Sequence, residues 1–432
     1  MHCPISIHRC WPYLLFAVLA VAASGRPADA ADEFALRGGE TVLFFGDSIT
    51  QNGGYVDYVE AYLRTRFPDL RFAVINHGIS SETVSGTSEE DHDPRRPDSH
   101  QRFTRDVAEW RPDVLVACFG MNDGNYHPFE PERFEAYQAG IRRLLARARD
   151  EAGGPRVTLM TPPPYDPYFR KVYDPNAKSF GYKYAAIDYD ETLRRYSEWL
   201  LSLRETDLPI VDLHGTMNEH VRQRRQSTVS FTLSPDAVHP NPTGHLLMAS
   251  QLLLAWHAPA EVSVAELDGE AMRVLSGEID DWKRQDDGFS FTWQTKLPWP
   301  ADSRCDQESI TLEQIPQRLN RQTLVVKNVP AARYRLMAGD DKLSIATREE
   351  LAAGINLSSL ARLPSTVRAQ EVLKLVQERN RLRYDSWRKR ILGQEGTAEL
   401  GKAERRAAML DEELAELCQP IKLDLRLIAV AD

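Results

Sequence analysis

The stretch Thr41-Val42-Leu43-Phe44-Phe45-Gly46-Asp47-Ser48-Ile49-Thr50 runs a β-branched and aromatic segment into a glycine turn that presents a serine. An unbroken apolar run ending at Gly-Asp reads as a buried strand, and the amphipathic pattern over 55–67 that follows predicts a helix. The alternation repeats outward from there. Further strands are expected at 70–76, 113–119, 156–161 and 209–213, with helices at 103–110, 130–149, 182–204 and 242–256. Such alternation builds βαβ units, so the predicted fold class is α/β, a three-layer α/β/α sandwich around a central parallel sheet. In such sheets ligands gather where loops leave the carboxyl ends of the strands, which is where Ser48 falls.

The chain has 432 residues, 42% hydrophobic and 27% charged, enough apolar material for a large core and too long for one small module. Lys and Arg total 53 against 63 Asp and Glu, a net charge of −10, so nucleic acid is not an expected partner. Arg9, an apolar run from Trp11 to Ala23, and small residues at Ala28-Asp29-Ala30 predict an export signal over 1–30, hence a periplasmic or secreted protein. The run is shorter than the ~20 apolar residues that span a bilayer, so stable membrane insertion is not expected. Beyond the signal, Cys118 lies in an apolar run and reads as a buried hydrophobe, while Cys305 and Cys418 are available for one disulfide.

Past residue 259 the pattern changes. Strands are expected at 289–293, 323–329, 333–337 and 342–346, with a hairpin at Gly339-Asp340-Asp341. Thr347 and Glu350 form a capping box for a short helix that Gly354 stops. A long helix after Pro364 carries Val372, Leu375, Val376, Leu382 and Trp387 on one face; a second covers 398–418 and a strand 421–430. The expected divisions are a signal at 1–30, an α/β domain at 31–258, a β-rich appendage at 259–346, and a helical hairpin region ending in a strand at 347–432. Trp282, Trp293 and Trp299 suit a core better than a sugar-stacking platform, and the charged outer faces of the paired helices read as solvated surface.

A serine hydroxyl becomes a nucleophile only beside a base and at an exposed strand end. Three further segments supply candidates: Asn76-His77-Gly78-Ile79-Ser80, Gly120-Met121-Asn122-Asp123-Gly124 and Asp236-Ala237-Val238-His239-Pro240. With the Ser48 segment they resemble, in order, the four sequence blocks of the SGNH (GDSL-type) hydrolases, over about residues 37–258. The resemblance implies a flavodoxin-like sheet and a catalytic triad of Ser48, His239 and Asp236. It also implies an oxyanion hole made by the backbone N–H groups of Ser48 and Gly78 and the side-chain amide of Asn122.

Other residues take smaller parts. Asp47 is expected to shape the turn and Asp123 to cap a helix or lie near substrate. Tyr126, His127 and Tyr165, with Asp123, are candidates for a substrate pocket, because their loops leave the functional edge of the sheet. Asp91, His92, Asp93 and His100 read as a solvated loop without metal-ligand spacing, and His77 and His245 are set aside as bases. No metal or cofactor is expected. The reading is an exported serine esterase acting through an acyl-enzyme, on a small-molecule or carbohydrate ester, with short-chain O-acyl carbohydrate preferred. A lysophospholipase or thioesterase, and a non-catalytic carbohydrate-binding protein on the same fold, are the alternatives.

Overall fold

Strand β1 (Thr41–Gly46) sends Val42 and Phe44 to one side and Leu43 and Phe45 to the other, and all four are fully buried. That double burial requires helices on both faces of its sheet. In the computed structural model, which describes residues 33–90, 92–170, 186–206, 208–394 and 396–430, they are supplied by the succession seen in the sequence. After β1 come α1 (Ser48–Asn52), α2 (Gly54–Arg66), β2 (Ala73–Gly78), α3 (Ser99–Asp106), β3 (Val114–Cys118) and α4 (Pro131–Glu151). Then follow β4 (Arg156–Met160), α5 (Tyr189–Ser202), β5 (Ile210–Val211), α6 (Leu213–Ser227) and α7 (Pro242–Ala255). The five strands are parallel in the order β2-β1-β3-β4-β5. The side chains of α2, α6 and α7 pack with Val42 and Phe44, and those of α3, α4 and α5 with Leu43 and Phe45. This is the expected three-layer sandwich. Its strand order reverses between β1 and β3, the switch point where such sheets bind ligands.

Two differences have local causes. Strand β2 starts at Ala73, because the 70–72 stretch is still the connection from α2. Helix α6 is absent from the expected elements: its polar run Arg222-Gln223-Arg224-Arg225-Gln226 masks the stripe Leu213, Met217 and Val221, which is buried at a spacing of four. Residues 182–185 of the helix expected at 182–204, Asp91 and the export signal lie outside the described residues.

The rest of the chain, within the same compact unit Phe34–Asp432, forms β6 (Glu261–Asp268), β7 (Arg273–Ser276), β8 (Glu278–Gln285), β9 (Gly288–Thr295), α8 (Gln307–Leu312) and α9 (Ile315–Leu319). There follow β10 (Arg321–Lys327), β11 (Arg333–Ala338), β12 (Asp341–Thr347), α10 (Arg348–Ala353), β13 (Ile355–Asn356), α11 (Pro364–Ile391), α12 (Ala398–Leu417) and β14 (Ile421–Ala429). The sheets are β13-β10-β6-β7 and an antiparallel β12-β11-β14-β9-β8. The Thr347 and Glu350 capping box forms as read.

Strand β14 lies between β9 and β11, so the last strand of the chain completes a sheet begun before the helical hairpin. Trp293 and Trp299 are buried and Trp282 stacks on Phe289 at 5.0 Å, all core roles. Cys118, Cys305 and Cys418 are buried free thiols, so Cys305 and Cys418 are not joined. Among the described residues, no helix is long and apolar enough to cross a membrane.

Helices α11 and α12 lie against the parallel-sheet layer. Arg379 of α11, fully buried, pairs with Glu60 of α2, and Trp299 donates its indole N–H to the Tyr58 carbonyl at 2.8 Å.

Candidate active site

Gly46 ends β1 at a place where a Cβ would stand 2.2 Å from Thr50 Oγ1 and 2.6 Å from the Cys118 carbonyl oxygen. Only glycine lets the chain turn here from strand into α1. Asp47 caps that helix, its Oδ1 accepting the Ile49 N–H at 2.9 Å, and Ser48 becomes the first helical residue, partly exposed at the sheet edge. Its backbone N–H has no intrahelical acceptor, as for any first-turn residue.

The loop before α7 brings a histidine to the serine. Asp236 begins a tight turn in which Ala237 takes a φ of 77°, and its carboxylate gathers the backbone N–H groups of Val238 (3.1 Å) and His239 (2.8 Å) on Oδ1. Its Oδ2 faces His239 Nδ1 at 2.8 Å, and His239 Nε2 faces Ser48 Oγ at 2.9 Å. Burial opposes the charge on Asp236. The hydrogen bonds from the His239 ring and the two backbone amides outweigh it and hold the carboxyl well below the usual range. An ionised carboxylate can only accept, so it fixes the proton on Nδ1 and leaves Nε2 to accept from the serine.

The loop after β3 supplies an amide. Asn122 Nδ2 donates to the Glu82 carbonyl at 3.1 Å, while Oδ1 accepts from Arg96 Nη1 at 3.1 Å and from the Tyr126 hydroxyl at 3.3 Å. Arg96 is itself gripped by both oxygens of Glu89, at 2.7 and 2.9 Å, each side chain 2% exposed. Two donors on Oδ1 set the amide's orientation, and among the described residues one Nδ2 hydrogen remains uncommitted.

Other expectations need correction. The Gly78 N–H, expected as an oxyanion donor, is occupied: it donates to Asn76 Oδ1 at 2.9 Å. Its glycine serves a close approach instead, since a Cβ would lie 2.2 Å from the Gln51 backbone nitrogen. Three residues on, Ser81 has a φ of 63°, and its N–H makes no hydrogen bond among the described residues. Asp123 caps no helix. It is fully buried, its Oδ1 accepting the Val84 and Ser85 N–H groups at 2.9 and 2.8 Å, and burial pushes its carboxyl up to about 6.

Tyr126 and Tyr165 are buried in an aromatic cluster with Tyr189, at ring distances of 4.9 and 5.5 Å to Tyr189. Together with Asp123 and His127, they do not line the cavity that holds Ser48. His100, read as part of a solvated loop, is buried in α3 with Nε2 3.2 Å from the Gly140 carbonyl. His77 is wedged between Trp387 and Trp110, and burial pushes it down to about 4. His245 is buried with neither ring nitrogen hydrogen-bonded, and burial pushes it down to about 3.

A second line of serine, histidine and carboxylate shows why geometry must be read with access. His220 faces Ser309 Oγ at 2.9 Å and Glu313 at 2.7 Å. Ser309 and His220 are buried, and the serine donates to Asp306, so this group ties α6 to α8.

The cavity holding Ser48 and His239, about 710 Å³, has one wall that the sequence pattern does not announce. Gln377, Asn380, Arg381, Tyr384 and Asp385 of α11 and Asp302 and Arg304 of the loop before α8 line it together with the serine. The signal is present as polar residues spaced 3, 4, 7 and 8 from Gln377, but a polar stripe on a charged helix looks the same as solvated surface.

Residues 44–247 match the GDSL-like lipase/acylhydrolase family. An acetylxylan esterase from Geobacillus stearothermophilus is 27% identical over 236 residues, covering 50% of this chain and 93% of that protein. The solved structure of a gut microbial diltiazem-metabolizing enzyme superposes over 92% of this chain and 99% of its own with a TM-score of 0.75 and 21% identity, a likeness of fold that includes the region beyond 258. A catalytic mutant of the Geobacillus esterase aligns over 51% of this chain and 96% of its own, with 26% identity and a TM-score of 0.38.

Proposed function

Residues 44–247 are a GDSL-like lipase/acylhydrolase domain of the SGNH type and the chain is a carboxylic ester hydrolase, and on that premise we propose that it removes short O-acyl groups from carbohydrate through an acyl-enzyme on Ser48. The observation that carries this reading is the unbroken line from Asp236 through His239 to Ser48, with contacts of 2.8 and 2.9 Å. Ser48 Oγ attacks the ester carbonyl as His239 Nε2 takes its proton; Asp236 stabilises the imidazolium. The tetrahedral oxyanion is met by the Ser48 N–H, the uncommitted Asn122 amide hydrogen and, in place of Gly78, the Ser81 N–H. Each such donor is worth ~2.7–4 kcal/mol in the transition state. Collapse expels the alcohol, which takes the proton from His239, and a water then repeats the sequence to release the acid.

The carbohydrate class is supported by the acetylxylan esterase relative, which this chain covers almost throughout its length. Export, to periplasm or medium, rests on Arg9 and the apolar run that follows it.

A fluorophosphonate probe tests the nucleophile: it is expected to label wild type and not Ser48→Ala, and an unreactive wild type would return the protein to a binding role. Rates on acetyl, butyryl and decanoyl esters test the acyl class. Preference for decanoyl would replace the carbohydrate reading with a lipid one.

A further inference from the structure

We propose that the polar face of α11, with the 302–304 loop, is the subsite for the alcohol half of the ester, and that this alcohol is an uncharged, polyhydroxylated sugar chain. The inference rests on Ser48 being the nucleophile. In the second half of acylation His239 hands its proton to the departing oxygen as the C–O bond breaks, so the alcohol must lie against His239. His239, Pro240 and Pro242 line the same cavity as the α11 residues, whereas Asn122 does not. The cavity therefore lies on the leaving-group side of the serine.

Gln377, Asn380, Arg381, Tyr384 and Asp385 share one helical face, and two of them fix that face to the catalytic layer. The Tyr384 hydroxyl donates to the Gly78 carbonyl at 2.9 Å, and Asn380 Nδ2 donates to Asp57 at 2.7 Å and Glu60 at 3.1 Å. Most of the remaining groups are open to solvent, Asp302 being the exception. Arg381 and Arg304 have side chains 85% and 71% exposed, and the Gln377 amide makes no hydrogen bond among the described residues.

Their chemistry selects the ligand class. Arg304, Arg381 and Gln377 donate while Asp302, Asp385 and Gln377 accept, and a sugar hydroxyl does both. Each arginine is answered by its own carboxylate, Arg304 by Asp302 at 2.6 Å and Arg381 by Asp385 at 3.9 Å, and the further carboxylate of the lining, Asp57, is engaged by Asn380 at 2.7 Å, so no arginine is left over for an anionic alcohol. The Arg381–Asp385 pair is exposed on both sides and hence weak, and the Arg304 guanidinium is exposed although Asp302 is not, so sugar hydroxyl groups can replace or add to their hydrogen bonds on binding.

The test compares two acetyl esters on the full-length protein: acetylated xylotriose and 4-nitrophenyl acetate, whose acyl halves are identical. In Arg304→Ala/Arg381→Ala, kcat/KM on the sugar ester relative to the aryl ester is expected to fall about 10-fold or more, mainly through KM. Lys374→Ala, on an exposed part of α11 away from the cavity, is expected to leave that ratio at the wild-type value. Both arginines are exposed, so melting temperatures should stay at wild type. An unmoved ratio in the double variant, with wild type active on aryl acetate, would overturn the subsite and leave the esterase standing. A wild type that prefers an acetyl ester of a glycerophosphodiester would overturn the subsite in the same way. A wild type inert toward both acetyl esters would overturn the subsite and the esterase together.

Discussion

The Asp236 carboxylate holds His239 twice: Oδ2 meets the ring at Nδ1 and Oδ1 accepts the backbone N–H of the same residue, each at 2.8 Å. Ring orientation and tautomer are thus set by one group on one turn. In Asp236→Asn the amide can present its N–H to Nδ1, which would move the ring proton to Nε2 and aim it at Ser48. We expect kcat to fall by ~10⁴ with a near-normal melting temperature, measured on 4-nitrophenyl acetate. A loss below about 10-fold would remove Asp236 from the relay.

The same contacts fix the acid limb of the pH profile. Asp236, held well below the usual carboxylate range, keeps its charge through the whole interval in which a histidine titrates. Asp236 should therefore contribute nothing to the fall of activity with decreasing pH, and log kcat/KM against pH should have the limiting slope of about one that a single essential base gives. A slope of about two would mean that a second essential group titrates with it.

Arg96 orients Asn122 and, through it, the proposed oxyanion hole. Arg96→Lys cannot keep both the two-oxygen grip on Glu89 and the 3.1 Å contact to Asn122 Oδ1. We expect kcat to drop about 10-fold at nearly constant KM in this variant, and ~10²–10³-fold in Asn122→Ala, which also loses three buried hydrogen bonds and so some stability. The double variant should be no slower than Asn122→Ala alone, because Arg96 has then nothing left to orient. Multiplying effects would mean that Arg96 acts independently.

The four segments proposed to carry catalysis stand out in the sequence because each is local: a glycine turn after a strand, or two groups three residues apart on one loop. The apolar runs of β1 and β3 likewise suffice, as do the shorter apolar stretches within β4 and α7. What depends on contacts between distant residues is not legible. The inward turn of Tyr126 and Tyr165 and the approach of Tyr384 to Gly78 across 306 positions leave no periodic trace. The polar α11 face escapes for the same reason, since a stripe facing a wet cavity has the composition of one facing solvent.

Asp47 makes stability depend on pH. Burial pushes its carboxyl up to about 7 from 3.8, against the Ile49 N–H and the His239 charge that favour ionisation. A raised carboxyl stabilises the fold while protonated; that contribution is complete below about 3.8, the unfolded value, and is lost as pH rises through about 7. Asn at this position still accepts from Ile49 as a helix cap and cannot ionise. Asp47→Asn should gain stability over wild type on going from pH 5 to pH 8, by about 2–4 kcal/mol at ~1.4 kcal/mol per pKa unit. Parallel melting curves for the two proteins across that range would show that Asp47 is not the titrating group.

Residues beyond 258 are part of the core on which the catalytic layer rests. Trp299, Ile315, Leu319 and Leu373 are buried in the same apolar cluster as Val42, Phe44 and Tyr55. Trp299 packs edge-on against Tyr58 and Tyr62, with ring centroids at 6.4 and 5.8 Å, and Arg66 donates to the Leu319 carbonyl at 2.9 Å. Deleting 259–432 would strip these partners from α2, whose Glu60 and Arg66 would then face water beside newly exposed aromatic rings. Each large apolar side chain uncovered costs ~1.5–3 kcal/mol, and several are lost against a total stability of only ~5–15 kcal/mol. We therefore expect the truncated protein to aggregate on expression and, where recovered, to be digested rapidly by protease under conditions that spare the full chain. A soluble 34–258 fragment with wild-type turnover of 4-nitrophenyl acetate would show instead that the two halves fold independently.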